Sequence, residues 1–266
     1  MKRAHIIANE TAEHQASWGG AFAAGLKRHG WSVTASRHHQ PADLVVQWGV
    51  RRQDRIEATK ACGGEVVILE RGYVGDRFAW TSVSFGGGLN GRGEFRGPHH
   101  DGSRWDRHFA HMMQPWRARN DGPILIMGQV DGDAAVANVD IHAFYREVEK
   151  AYFAAGFSTR FRPHPQMCKR VPRMTSCPLA EDLAEARAVV SWNSNSAVDA
   201  VLAGVPTVAL DKGSMAWDVT GHQLSALPPT PDRTAWAHRL AWCQWQREEM
   251  ESGACWDAVG REAVEV

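Results

Sequence analysis

The pattern of apolar and polar positions predicts two successive sets of alternating strands and helices. Short apolar runs of strand type are separated by segments of helix length, and Gly30 and Gly156 each follow such a segment. Strands spaced in this way pair in parallel and are joined by right-handed crossovers. The first set predicts strands at Arg3–Ala8, Ser32–Ala35, Leu44–Trp48 and Val66–Glu70, with helices at Glu13–His29 and Gln53–Ala61.

The pattern restarts after Pro123, and a glycine-, arginine- and histidine-rich segment at 85–122 is predicted to be a loop and connector. The second set predicts strands at Ile124–Met127, Ser158–Arg162 and Ala188–Trp192, helices at Ile141–Ala155 and Leu179–Arg187, a helix that ends at Gly204, a strand that ends at Leu210 and a final helix at Asp232–Glu251. This order predicts an α/β fold of two Rossmann-like domains, residues 1–120 and 121–266, facing a central cleft. The broad apolar surface of the final helix predicts that it packs across both domains.

Composition narrows the class of protein. Thirty basic and thirty acidic residues cancel, so no global charge attracts nucleic acid or an anionic membrane. There is no signal-peptide pattern and no apolar run near the roughly 20 residues that span a bilayer, so we expect a soluble, cytoplasmic protein. Five cysteines without a CxxC pair argue against a disulfide framework and a structural zinc site.

A polar turn follows the strand at Ala188–Trp192 and opens the next helix. Asn193, Ser194, Asn195 and Ser196 are residue types that cap helix N-termini. A strand that leads directly into a helix places free backbone N–H groups and the positive end of the helix dipole beyond the carboxyl edge of the sheet, where anions bind. The segment therefore predicts a phosphate site, with an ordinary capped crossover as the alternative.

Two further segments are predicted to reach the same edge. Pro163 and Pro165 fix the backbone around His164, while Arg162 offers a planar fork for phosphate or carboxylate. A histidine in this position can stabilise a departing phosphate, although a rigid loop with a hydrogen-bonded histidine is the alternative. Gly128 and Gln129 follow the first strand of the second set, where the backbone can approach a ligand closely.

Asp131 and Asp133 spell DxD, a metal-binding pattern in another class of enzyme. Aspartates that flank a glycine are also common in turns, and Asp133 is in position to cap the next segment. We favour the turn, and no metal site is predicted.

The first set offers a candidate base. Glu70 ends the fourth strand, with Asp76 shortly after it, and Arg71 or Arg77 could keep such a carboxylate ionised for removing a proton from a hydroxyl. The alternative is an ion pair that orders the loop. A second cleft candidate is made of Asn9, Glu10, Glu13, His14 and Trp18, without a GxGxxG dinucleotide fingerprint.

Residues 92–119 combine arginines and histidines with Trp105 and Trp116. Such a mixture suits a nucleic acid or another polyanion, with a solvated loop as the alternative. The absence of GxSxG, Walker, HExxH and kinase motifs argues against hydrolases, NTPases, zinc proteases and kinases.

The pair His164-Pro165 and the turn before AVDAVLAGVPTVAL resemble those of GT-B glycosyltransferases, in particular capsule-polysaccharide transferases and their bacteriophage relatives. The resemblance implies metal-independent transfer of a sugar from a UDP- or CMP-linked donor, with no further cofactor. It implies that the donor is bound by Gly128, Gln129, Arg162, His164, Asn193, Ser194, Asn195 and Ser196. In the capsule group a pair of acids followed by glycine supplies the base, whereas this chain has Glu70-Arg71-Gly72, so Glu70 is assigned with Asp76 as substitute.

Some phage relatives glycosylate modified bases, so the first hypothesis for the acceptor is 5-hydroxymethylcytosine in DNA. The residues expected to bind that acceptor are Trp18, Arg71, Arg92, Arg96, Arg104 and Arg107. The alternatives are a capsule or glycan transferase, a nucleotide-sugar epimerase, and a DNA-binding module without catalytic activity.

Overall fold

The computed structural model describes residues 1–8, 12–170, 177–224 and 227–260, and the chain divides into two compact units. Unit 1 combines residues 1–109 with the residues from Ala237 onward, and unit 2 contains residues 110–236. The sequence had predicted one boundary near 120 and a second domain that continued to the end of the chain. The structure instead groups the described C-terminal residues with the N-terminal part.

The first part of unit 1 closely follows the predicted pattern. Its elements are β1 Arg3–Ile7, α1 Glu13–Arg28, β2 Ser32–Ser36, β3 Leu44–Trp48, α2 Gln53–Ala61, β4 Glu65–Arg71, β5 Thr81–Phe85 and α3 Ser103–His108. The segment at 85–122, predicted to be loop and connector, therefore contains a helix, and Glu94 also pairs with Phe85 as an isolated bridge. Trp105 and Phe109 are buried in this region, which explains why it folds against its own unit.

Unit 2 contains the second set of parallel strands. Its elements are β6 Ile124–Met127, α4 Ile141–Ala154, β7 Thr159–Arg162, α5 Pro165–Arg170, α6 Leu179–Glu185, β8 Ala188–Ser191, α7 Ser196–Leu202 and β9 Thr207–Ala209. The strands lie in the order β7-β6-β8-β9, and every pair is parallel. Apolar side chains from α4 cover one face of this sheet, and those of α6 and α7 cover the other.

The chain ends with α8 Thr234–Ala241, β10 Gln244–Trp245, α9 Arg247–Ser252 and α10 Ala254–Val259. The prediction of one helix over Asp232–Glu251 is therefore wrong. Gln244 and Trp245 interrupt the helical pattern because they pair antiparallel with β5 and complete the six-stranded sheet β10-β5-β4-β3-β1-β2.

Close packing also joins the C-terminal segment to unit 1. A Cβ atom on Gly25 of α1 would lie 2.1 Å from the carbonyl oxygen of Met250 in α9, so only glycine allows this helix contact. Trp245 and Met250 are buried together with residues of α1 and β1 in one core. None of the described helices is long and apolar enough to cross a membrane.

Candidate functional site

The carboxyl edge of the unit 2 sheet, meaning the edge formed by the C-terminal ends of its strands, carries the densest group of predicted site residues. The strand order reverses direction between β6 and β8, which is the position where open α/β sheets bind ligands. Gln129 lies just beyond β6, and Asn193 lies just beyond β8. His164 and Asp211 follow the two outer strands, β7 and β9.

Gln129 and Asn193 connect the two central strand ends. The Gln129 Nε2 donates to Asn193 Oδ1 at 2.8 Å, and the Asn193 backbone N–H donates to Gln129 Oε1 at 3.2 Å. The Asn193 Nδ2 also donates to the Ala135 carbonyl at 2.8 Å and to Asp211 Oδ1 at 2.9 Å. Asn193 is buried, so these bonds hold the strand ends in one arrangement before any ligand binds.

The network includes two residues that the sequence analysis did not select. The hydroxyl of Tyr145 in α4 accepts from the Gln129 backbone N–H at 2.6 Å, and burial raises the pKa of Tyr145. Asp211 Oδ1 accepts from both Asn193 and the Gly213 N–H. Asp211 could have been found as the first charged residue after a buried strand, whereas the sequence around Tyr145 gives no such signal.

The Ser/Asn turn presents two hydroxyls at this edge. The Ser194 and Ser196 Oγ atoms lie 2.8 Å apart, and Ser194 Oγ accepts from the Ser196 N–H at 3.3 Å. Asn195 precedes α7, but its side chain does not cap the helix as predicted. Because α7 has only seven residues, the hydroxyls rather than the helix dipole are the chemically useful groups of this turn.

His164 is half-buried beyond β7, and its ring has a defined orientation. The Gln166 N–H donates to His164 Nδ1 at 3.2 Å, so the neutral ring carries its proton on Nε2. The nearby Gly128 is required by packing, since a Cβ atom there would lie 2.8 Å from the Arg162 carbonyl oxygen and 3.2 Å from the His164 nitrogen. Gly128 thus lets the ends of β6 and β7 approach each other.

Arg162, which is predicted to bind phosphate, is buried and forms hydrogen bonds to other residues of unit 2. Its Nη1 bonds to Asp182 of α6 and donates to the Cys177 carbonyl at 2.9 Å. Asp182 is also buried, so Arg162 neutralises an internal carboxylate.

The DxD pair has the local contacts expected of a turn. Asp133 Oδ1 accepts from the Ala135 N–H at 3.0 Å and caps the short 3-10 helix that follows. Asp131 Oδ2 lies 3.0 Å from His142 Nε2, and Gly132 between the two aspartates has a φ of 72°.

Unit 1 has its own carboxyl edge, where Glu70 is found near the end of β4. Its Oε1 accepts from the Arg71 N–H at 2.9 Å. Its Oε2 lies 3.4 Å from the point where a Cβ atom of Gly49, the residue after β3, would be placed. Asp76 lies further along in an exposed loop, where its Oδ1 accepts from the Phe78 N–H at 2.9 Å.

The two arginines near Glu70 have other contacts. The guanidinium of Arg71 lies 4.0 Å from the ring centre of Phe78, and Arg77 Nε donates to the Gly72 carbonyl at 3.0 Å. These two contacts help to order the loop after β4, but neither is the ion pair with a carboxylate that the alternative for this segment expects.

The second cleft candidate of unit 1 is only partly assembled. Trp18 is buried in the core beneath α1, so it does not offer a surface to an acceptor. His14, at the start of the same helix, makes an edge-to-face contact with Trp48 at the end of β3, with ring centres 5.2 Å apart. Asn9 and Glu10 lie outside the described residues.

The arginines predicted to bind DNA have divergent surroundings. Arg104 is buried and donates to Glu249 at 2.7 Å and to the Ala241 and Gln244 carbonyls at 2.8 Å. Its guanidinium also lies against the rings of Trp80, Trp242 and Trp245. Arg96 pairs with Glu65 and Glu94. Arg92 and Arg107 are exposed. Arg96 and Arg104 thus neutralise carboxylates of their own unit.

Comparison with known structures reveals a similarity over nearly the whole chain. The beta Kdo 2,7 transferase of Thermosulfurimonas dismutans KpsC superposes with a TM-score of 0.54 at 12% identity, covering 96% of this chain and 98% of that one. The beta Kdo 2,4 transferase of the same KpsC gives a TM-score of 0.57 at 11% identity, with 90% of each chain covered. No family model matches the sequence, and no curated protein matches it.

These similarities show the fold. The chain is an α/β protein with two parallel-rich sheets, consistent with two Rossmann-like domains like those of KpsC.

Proposed function

We propose that this chain is a glycosyltransferase that binds a nucleotide sugar at the carboxyl edge of the unit 2 sheet. The observation that carries the proposal is the Gln129–Asn193 network at the point where the strand order reverses, flanked by His164 and by the Ser194 and Ser196 hydroxyls. The overall similarity to two sugar transferases supports it.

The polar groups at this edge suit a departing nucleotide phosphate. The Nε2–H of His164 can donate a hydrogen bond, or a proton when the ring is charged, as negative charge develops on the leaving oxygen. The Ser194 and Ser196 hydroxyls supply further donors that already lie close to each other. Gln129, Asn193 and Asp211 would line the nucleoside pocket, and their existing hydrogen bonds reduce the entropy lost on binding.

For the acceptor, we propose a glycan of the capsule type. Both similar structures are named as Kdo transferases, so Kdo is the first sugar to test as the transferred group, on a UDP- or CMP-linked donor. The internal ion pairs of Arg96 and Arg104 disfavour the DNA hypothesis, because these arginines were expected to contact the phosphate backbone. Glu70 is the proposed base and Asp76 its substitute.

Titration calorimetry with CMP and UDP tests the donor site. We expect His164→Ala and Ser194→Ala each to weaken binding of the preferred nucleotide by about tenfold, the value of one hydrogen bond to a charged group. His111→Ala and Ser158→Ala are matched controls, since both residues are exposed in unit 2 and Ser158 precedes β7 at the opposite edge. Equal affinity in all four folded variants would contradict the site.

A second measurement concerns metal. Because Asp131 and Asp133 have turn contacts, we expect transfer to continue in EDTA. Loss of transfer that Mn²⁺ or Mg²⁺ restores would assign the pair to a metal instead.

A further inference from the structure

The loop between β4 and β5 of unit 1 is exposed but firmly held. The Gly72 N–H donates to the Trp80 carbonyl at 2.8 Å and closes the loop at its base. The buried Gln244 of β10 accepts from the N–H groups of Tyr73 and Val74 at 2.6 and 3.0 Å. The conformation at the base of the loop is therefore fixed by the body of unit 1.

This held loop presents one aromatic ring to solvent. Phe78 is 72% exposed, whereas the two other aromatic residues of the loop, Tyr73 and Trp80, are 2% and 6% exposed. The loop can therefore bury aromatic rings, and it keeps Phe78 outside. The Asp76 carboxylate accepts from the Phe78 N–H, and the Ala79 N–H donates to the Asp76 carbonyl at 2.9 Å, so the turn that carries the ring is also ordered.

A positive charge accompanies the exposed ring. The Arg71 guanidinium lies 4.0 Å from the ring centre of Phe78 and is only half-buried. Arg71 is the chain neighbour of Glu70, whose carboxylate accepts the Arg71 N–H. A cation and an aromatic face are therefore in contact at the end of β4, the strand that also carries Glu70.

We propose that Arg71 and Phe78 form an acceptor subsite for a sugar ring that carries an anionic substituent. The C–H face of a pyranose packs against the negative face of an aromatic ring, and a guanidinium binds a carboxylate or phosphate in bidentate geometry. A sugar bound to this pair lies at the strand end that carries Glu70, the proposed base. The inference rests on the proposed function, because it assigns unit 1 the acceptor of that reaction.

Binding of acceptor analogues tests the subsite without a donor. Saturation-transfer NMR would compare methyl glucoside, methyl glucuronide, methyl glucoside 6-phosphate and the methyl glycoside of Kdo. We expect the anionic ligands to bind and the neutral one to bind at least about tenfold more weakly, as one charged hydrogen-bonded pair is lost. Whether carboxylates or phosphates bind better identifies the anion.

Variants assign that binding to the pair. Phe78→Ala should weaken the binding of anionic sugars about tenfold, and Phe78→Trp should restore that binding. Arg71→Gln should remove the preference for anionic over neutral sugars. Phe153→Ala is the matched control, since Phe153 is 82% exposed in α4 of unit 2 and has no assigned role. Unchanged sugar affinity in Phe78→Ala and Arg71→Gln would overturn the subsite.

The same variants separate this inference from the proposed function. If nucleotide binds normally and transfer occurs, but the acceptor KM is the same in Phe78→Ala as in the wild type, the subsite is wrong and the glycosyltransferase stands. If no nucleotide binds to the wild type, the proposed function fails. If Phe78→Ala lowers transfer to an oligonucleotide containing hydroxymethylcytosine and leaves sugars unaffected, the ring stacks on a base and the sugar assignment is overturned.

Discussion

The two sheets share one strand order and differ in how their carboxyl edges are built. In unit 1 the parallel strands lie in the order β2-β1-β3-β4, and unit 2 repeats this order as β7-β6-β8-β9. In unit 2, hydrogen bonds between Gln129, Asn193 and Asp211 tie strand ends to one another. In unit 1, the described edge has Gly49 beside the Glu70 carboxylate and a loop that exposes Phe78.

Under the proposed function, this difference would suit the two edges to different ligands. A cross-linked edge suits a ligand of constant shape, such as a nucleotide, because little reorganisation is needed on binding. An edge with a glycine and a projecting loop suits a ligand that varies, such as an acceptor glycan. Unit 1 also contains a buried arginine, Arg104, that lies against three tryptophans, Trp80, Trp242 and Trp245.

The largest expected effect comes from removing that buried arginine. Arg104→Ala removes the charged donor of the Glu249 carboxylate, which keeps its bond from the Gln246 N–H, and the donor of the Ala241 and Gln244 carbonyls. Since Glu249 is partly exposed, we expect a loss of about 3 kcal/mol in the free energy of unfolding of unit 1, at the lower end for a broken buried ion pair. Tryptophan fluorescence in a urea titration measures it.

Arg107→Ala is the control for that experiment, because Arg107 lies on the same helix and is exposed. Its stability should change by less than about 0.5 kcal/mol. If the two variants are equally stable but both lose DNA binding, the arginines form a nucleic-acid surface and the comparison between the units fails.

A smaller effect is expected at the edge of unit 2. Asn193→Ala removes three side-chain hydrogen bonds and takes the acceptor from Gln129 Nε2 and a donor from the Ala135 carbonyl and from Asp211, so we expect a loss of about 2 kcal/mol in the free energy of unfolding. Nucleotide binding should weaken with it. Differential scanning calorimetry and nucleotide titration measure the two effects, with the exposed Asn138→Ala as the control. Loss of stability without loss of nucleotide binding would show that the network only stabilises the fold.

The smallest effect concerns pH. Burial lowers the pKa of His5 in β1, although its hydrogen bond to the His38 carbonyl opposes this and the charge of His39 adds to it. The folded protein therefore binds fewer protons at this site than the unfolded chain. The stability contribution is present above the ordinary pKa of 6.5 and is lost as pH falls below it towards the folded value.

Unfolding midpoints at pH 7.5 and 5.5 test this sign. The wild type should lose more stability between these two values than His5→Gln, which does not titrate in this range. His99 and His108 of the same unit also have pKa values lowered by burial, so a reduced pH dependence should remain in the variant. An identical pH dependence in both proteins would exclude His5 as a contributor.

The parallel strands could be predicted because local sequence determines them. β6 is a continuous apolar run and β3 is apolar at every position except Gln47, so the bounds of both strands match those predicted from sequence. The prediction of a helix at Asp232–Glu251 is wrong because Gln244 and Trp245 pair with β5, which is distant in the sequence. Tertiary pairing overrode local helix propensity there.

The positions of His164 and the Ser/Asn turn at one edge of the sheet could be predicted because these residues directly follow recognisable strands. Arg104 was misread as a surface residue because its partner, Glu249, lies 145 residues further along the chain. A buried arginine and an exposed one have the same sequence signature, and only the fold separates them.

The division of the chain has a consequence for its synthesis. The ribosome synthesises all of unit 2 before Gln244 and Trp245, which pair with the edge of β5. Until those two residues emerge, β5 is an open strand whose N–H and carbonyl groups can pair with another chain. While residues 110 to 244 are being synthesised, a chaperone that binds this strand would protect the nascent chain from association.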